Sequence, residues 1–188
     1  MNTITENYLS EQKRLHENPM YGVASVAVAP LVAAIINQLK IKTLADYGAG
    51  KCRLRGALSM LGVSVRYAPF DPAFPEYGPA VSADLVTCID VLEHVEPKCL
   101  GPVLLDLQRI TVGFGFFTIH TGPAKKFLSD GRNAHLIQRP ASWWLPRLCT
   151  YFEVLHLEQN EFVGNGFCVL VKPLVECSTK RLAAMPHG

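Results

Sequence analysis

The sequence predicts an α/β fold: a mostly parallel sheet with helices on both faces, closed by a C-terminal antiparallel hairpin and shortened in the middle. Three observations predict it. Short apolar strands alternate with stretches of helical period along most of the chain. Two of these strands, Leu44-Ala45-Asp46 and Leu85-Val86-Thr87-Cys88-Ile89-Asp90, end in a carboxylate, and the first runs into the glycine turn Tyr47-Gly48-Ala49-Gly50. The last two β-like runs are separated by Gly164-Asn165-Gly166, and an Asn-Gly pair favours a tight hairpin.

The elements follow in order. Residues 1–20 read as a polar arm or short helix carrying Tyr8 and His16. Val26, Val28, Leu31, Ile35 and Ile36 recur at roughly helical spacing and predict a buried helix over 24–39. Residues 43–47 form the first strand; residues 54–61 form a helix ended by Gly62. Residues 63–68 give the second strand, stopped by the turn Pro69-Phe70-Asp71-Pro72. From Asp71 to Asp84 the chain is too short for a helix and a strand, so one element is reduced or missing. A strand over 84–90 precedes a helix over 98–110, which opens after Pro97 and carries Leu100, Val103, Leu104, Leu107 and Ile110 on one face. Residues 114–119 are an aromatic strand, 121–139 a long loop, and 140–150 a short helix containing Trp143 and Trp144. Strands at 152–161 and 167–172 close the sheet.

A chain of 188 residues with 49% apolar residues predicts one domain, 1–188, with 1–20 as an N-terminal arm or lid and 174–188 as a loose tail. The N-terminus is polar and of mixed charge, unlike a signal peptide. The longest apolar run, 22–36, falls short of the roughly 20 residues that span a bilayer. The six cysteines include no C-x-x-C pair, which points to reduced thiols and a cytoplasmic location. The net charge of +2 is uneven. Lys125, Lys126, Arg132, Arg139 and Arg147 face only Asp130 between residues 120 and 147, a local excess of +4 that attracts anions.

The two carboxylate-ended strands, with Asp71 beyond the strand between them, resemble class I S-adenosylmethionine (SAM) dependent methyltransferases, over roughly residues 21–173. Asp90-Val91-Leu92-Glu93-His94-Val95 has the form seen in ubiquinone-biosynthesis-type O-methyltransferases, and the chain is similar to short methyltransferase-like proteins of phage and bacterial genomes. The resemblance implies a Rossmann-like methyltransferase sheet with its ligand at the carboxyl edge. It implies that Asp46, Gly48 and Gly50 meet the amino-acid part of SAM. Asp71 would meet the ribose hydroxyls, and Asp90 and Val91 the adenine or methionine portion. The rival is a dinucleotide site, but Gly48-Ala49-Gly50-Lys51-Cys52-Arg53 lacks the third glycine of that fingerprint, and Asp46 would repel a pyrophosphate.

Candidate catalytic residues are Glu93, His94, His120 and His135. Methyl transfer needs an aligned nucleophile and, for oxygen or nitrogen acceptors, often a base, and histidine titrates near neutral pH. A divalent metal is a further expectation. D-x-x-E-H with a later histidine is similar to the metal motif of RNA-terminal 2′-O-methyltransferases, and would use Asp90, Glu93 and His94 with His120 or His135. The expected activity is methyl transfer to an O or N acceptor of an anionic substrate, either a small metabolite or nucleic acid held by Lys125, Lys126, Arg132, Arg139 and Trp144. The alternative is a non-catalytic SAM- or nucleotide-binding module with the same fold, suggested by Lys51-Cys52 and the shortened middle.

Overall fold

The computed structural model describes residues 2–159 and 165–174. The expected strand end at Glu161, Gly164 of the turn, Cys177 and the tail from residue 175 onward lie outside the described residues.

In chain order the elements are α1 (Glu6–Glu17), α2 (Ala24–Leu39), β1 (Thr43–Tyr47), α3 (Arg53–Met60), β2 (Arg66–Phe70), β3 (Ala83–Ile89), α4 (Leu100–Ile110), β4 (Thr111–His120), α5 (Ala141–Leu148), β5 (Phe152–Glu158) and β6 (Gly166–Pro173). The strands form one sheet in the order β2-β1-β3-β4-β6-β5. The first four are parallel, and β6 runs antiparallel to both neighbours. Between β2 and β3 the chain makes only one short 3₁₀ turn, Pro75–Tyr77, so the middle is shortened as expected. Among the described residues no helix is long and apolar enough to cross a membrane.

Alternation along the strands splits the core in two. Leu85 and Ile89 of β3 and Phe116 of β4 pack with α2 and α3 on one face. Val86, Cys88, Phe117 and Ile119 pack with α4 and α5 on the other. Strands buried on both faces read as continuous apolar runs, which is why β3 and β4 were legible.

The second strand starts three residues later than expected, at Arg66 instead of Val63. Val63 and Val65 pack beneath α2 and α3 without joining the ladder. The sequence predicts a stop at Pro69, yet this residue pairs with Asp46 inside β2. An edge strand tolerates proline because its missing N–H can face away from the ladder. The helix expected from residue 98 begins as a 3₁₀ turn, Pro97–Cys99, and becomes α-helical at Leu100.

Candidate functional site

Sheet order reverses between β1 and β3, and ligands of open α/β sheets bind outside the carboxyl ends of strands at such a switch point. A cavity of about 450 Å³ opens there. Asp46, Gly48, Gly50, Asp71, Asp90 and Val91 all line it, as do His94, His120 and His135.

Asp46, one residue before the end of β1, pairs with Thr87 of β3. Its carboxylate accepts the Thr87 hydroxyl at 2.8 Å and the Tyr67 hydroxyl. Burial pushes its pKa up to about 6, opposed by those two donors. Gly48 is indispensable sterically: its φ is +80°, and a Cβ there would lie 2.3 Å from Val91 Cγ2. The loop's own donors are already committed. The N–H groups of Gly48 and Ala49 donate to Phe70 O at 2.8 and 3.0 Å, and that of Gly50 donates to Asp71 at 2.9 Å. A dinucleotide pyrophosphate needs such donors free, so this turn is poorly made for one.

The shortened middle serves the loop. Asp71 also accepts the Ala73 N–H, and Tyr77 donates to Gly50 O at 2.9 Å. Lys51 and Arg53 donate to the backbone carbonyls of Asn18 and Pro19, which fastens the N-terminal segment beside the glycine turn.

Asp90 leaves β3 in the left-handed region, φ +58°, with its N–H on Thr118 Oγ1 at 3.0 Å. Aspartate tolerates this region better than most residues. The turn that follows, Leu92–His94, is 3₁₀ and not α-helical, and it separates neighbours expected to act together. Glu93 is fully buried, behind the cavity, where its Oε1 accepts the His120 N–H at 2.6 Å and its Oε2 has no partner. Burial first, then the charge of Asp90, raises its pKa well above the carboxylate range. Tight 3₁₀ winding sends Glu93 into the sheet while His94 faces the cavity, so Glu93 is not brought together with the other expected site residues on the cavity wall.

His94 and His135 meet edge to face, centroids 4.6 Å apart, and His120 lies 4.9 Å from His135. Burial holds His94 down to about pKa 4 and lowers His135 as well. Gly122 orients two of the rings. Its carbonyl lies 2.7 Å from His135 Nδ1, so that nitrogen carries the hydrogen and Nε2 keeps its lone pair. Its N–H donates to His120 Nδ1 at 3.1 Å. Asn133 clamps the loop by accepting the N–H groups of Ala124 and His135. One ligand atom each from Asp90, His94 and His135 lie within 4.8 Å of one another; Glu93 and His120 stand outside that set.

The basic segment divides. Lys125 and Lys126 line the cavity. Arg132 pairs with Asp130, and Arg147 stacks 3.6 Å over the Trp143 ring. Trp144 is 0% exposed in the core between α5 and the sheet, so it offers no face for stacking a base, contrary to expectation.

Sequence reasoning missed the second wall. Tyr8, Gln12 and His16 of α1 line the cavity, and their i, i+4, i+8 spacing on one helical face was the available signal. Tyr8 donates to His94 O at 2.6 Å, and Gln12 donates to Tyr8. Thr87 was signalled too, as a polar residue inside an apolar strand; Tyr67 and Gly122 carried no such mark.

No family model matches the chain, and no curated relative does. Solved structures do resemble it. A Burkholderia thailandensis 1,6-didemethyltoxoflavin-N1-methyltransferase, bound to its acceptor and S-adenosylhomocysteine, superposes with TM-score 0.66 at 13% identity over 89% of each chain. The mitomycin 7-O-methyltransferase MmcR gives 0.65 at 14% identity over 89% of this chain and 60% of that one. The magnesium protoporphyrin IX methyltransferase ChlM of Synechocystis PCC 6803, with S-adenosylhomocysteine, gives 0.57 at 13% identity over 88% and 97%. With its sheet order, its closing antiparallel strand and its cavity at the switch point, the chain has the Rossmann-like fold of class I SAM-dependent methyltransferases.

Proposed function

We propose that this protein transfers a methyl group from SAM to an oxygen or nitrogen of a small anionic acceptor. The observation that carries the reading is one cavity, lined on one side by Asp46, Gly48, Gly50, Asp71, Asp90 and Val91 and on the other by His94, His120 and His135. Methyl transfer needs an acceptor lone pair in line with the sulfonium, and positioning supplies most of the acceleration. As the new bond forms to carbon, the C–S bond breaks and its electron pair stays on sulfur. The acceptor's proton passes to Nε2 of His135, whose tautomer is fixed by Gly122; burial keeps this ring neutral and ready to accept, and the Gly122 carbonyl and the charge of Asp90 partly offset the cost of the cation that forms. His94, neutral at pH 7, and His120 complete the acceptor wall; Glu93 acts from behind by holding the His120 backbone.

Lys125 and Lys126 supply the positive charge an anionic acceptor needs. A small acceptor is favoured over nucleic acid by helix α1, which roofs the cavity, and by the burial of Trp144. The named acceptors of the similar structures, a toxoflavin precursor and mitomycin, are small as well.

A divalent cation would be held by Asp90, His94 and His135, a donor mix that suits Mg, Mn or Zn. When bound it would polarise the acceptor's hydroxyl as a Lewis acid. Chelation followed by readdition of Mg, Mn or Zn tests this: a metal enzyme loses turnover and regains it, whereas an enzyme using His135 alone is unchanged.

The main test is titration calorimetry with S-adenosylhomocysteine, followed by transfer of labelled methyl from SAM into a fractionated small-molecule extract. Micromolar binding and label in a small acid are expected. Absence of binding would sink the reading. Binding without label in any fraction would favour the non-catalytic module.

A further inference from the structure

The amino-acid end of SAM carries an ammonium and a carboxylate, and the glycine-turn side of the cavity suits only the first. Its carboxylates, Asp46 and Asp71, attract the ammonium and repel the carboxylate. The N–H groups of Gly48, Ala49 and Gly50 are all spent inside the protein. A carboxylate needs hydrogen-bond donors when it leaves water, so the donor must come from elsewhere on the cavity wall.

Among the described residues, two cavity-lining rings have a buried nitrogen without a partner, His16 and His94, and His16 is the one over the glycine turn. His16, on the last turn of α1, lines the cavity directly over the glycine turn, and a Cβ on Gly50 would lie 3.0 Å from its Cε1 and 3.7 Å from its Nδ1. That Nδ1 is buried and has no hydrogen-bond partner. The ring is fixed between Tyr21 and Phe74, both at 4.9 Å and both edge to face. A ring held by packing alone, with an unpaired polar atom, is a binding group awaiting its partner. Lys51 is not among the residues lining the cavity, and its ammonium is drawn to Asn18 O outside it.

Resting on the SAM reading above, we infer that His16 receives the α-carboxylate of the cofactor, so that the helix roofing the acceptor also reads the cofactor. The inference explains the effort spent on α1. Lys51 and Arg53 fasten its C-terminal exit to the glycine turn. Thr5 and Glu11 fasten its start and middle to Glu96 and Ser129 across the cavity.

The test compares two ligands by calorimetry: S-adenosylhomocysteine, and 5′-methylthioadenosine, which lacks the amino-acid end. His16→Phe keeps an aromatic ring against Tyr21 and Phe74 and removes the donor. The variant is expected to bind S-adenosylhomocysteine about ten- to hundredfold more weakly, the loss of one hydrogen bond to a charged group. Its affinity for 5′-methylthioadenosine should stay within about twofold on the same grounds. His16→Asn, which restores an N–H near the same place, should recover part of the loss. Equal weakening for both ligands would make His16 a packing residue and overturn the inference, as would no weakening for either. A wild-type protein that binds neither ligand would instead remove the SAM reading itself.

Discussion

The two banks of the cavity are built differently. The cofactor bank comes from the ends of β1, β2 and β3, all between residues 46 and 91, and is fixed largely through backbone groups: Gly48 and Ala49 N–H on Phe70 O and Asp90 N–H on Thr118 O, with one side-chain pin, Gly50 N–H on the Asp71 carboxylate. The acceptor bank comes from α1 and the 121–139 loop, brought together by side chains far apart in sequence. Thr5 meets Glu96, Tyr8 meets the His94 carbonyl, and Glu11 meets Ser129, at separations of 91, 86 and 118 residues. Backbone hydrogen bonds survive most substitutions because every non-proline residue has them; side-chain pins do not. A fold arranged this way can change its acceptor while keeping its cofactor.

The comparison breaks most severely at Gly48→Ala. The new methyl would have to share space with Val91, in a backbone region that costs L-residues energy. Strain and overpacking together should cost about 3 kcal/mol of stability, read as a lower urea midpoint, and abolish measurable S-adenosylhomocysteine binding. Adding Val91→Ala should restore part of the stability. A Gly48→Ala protein with wild-type stability would show that the turn is less tightly packed than these contacts require.

His135→Ala should break the other bank alone. Loss of a positioned base costs about a hundredfold or more in turnover, while S-adenosylhomocysteine affinity should stay within about threefold because none of the cofactor bank moves. Parallel loss of both would mean the banks are one unit.

The same contrast decides what was legible. That Asp46, Gly48, Gly50, Asp71 and Asp90 share one edge of the sheet was legible because each lies at or just past a strand end, and strand ends are local consequences of apolar patterning. His16 and Tyr8 were visible only as members of a polar arm, since nothing local says which cavity a terminal helix will cover. Trp144 was misassigned for a related reason: two adjacent aromatics on a helix point in different directions, and only the packing of α5 on the sheet shows that Trp144 is the inner one. The place of Glu93 was not legible because helical spacing predicts it on the face of Asp90, whereas Asp90 turns left-handed and a 3₁₀ turn follows.

The pH dependence of stability sharpens the comparison from the cofactor side. The Asp46 carboxyl, ordinarily at 3.8, titrates near 6 in the folded chain because it is buried. The native state therefore holds this proton more tightly than the unfolded chain does. The resulting stabilisation is complete below about pH 4 and is lost as pH rises through 6, a decline of at most about 3 kcal/mol. Glu93 is shifted in the same direction. His94 and His135, whose pKa values burial lowers, gain stability over the same range, so the carboxyl is read by difference: from about pH 4 to pH 7 the urea midpoint of Asp46→Asn should rise relative to that of the wild type. A difference that stays constant over this range would contradict the assignment of a raised carboxyl.

The smallest expected effects separate the basic residues of the acceptor bank. Arg132 is exposed and already paired with Asp130 at 2.6 Å, an arrangement screened by solvent. Arg132→Ala should change acceptor KM by less than about twofold, as exposed pairs of this kind usually contribute little. Lys126 is half-buried on the cavity wall, where a charge is less screened, and Lys126→Ala should raise KM by about three- to tenfold with kcat nearly constant. Equal effects at both positions, each fading with added salt, would point to a diffuse basic surface acting over distance, and would return a polyanion to consideration as the acceptor. An effect confined to Lys126 requires the anion to sit inside the cavity, within reach of His135, and only a small acceptor can do that beneath α1.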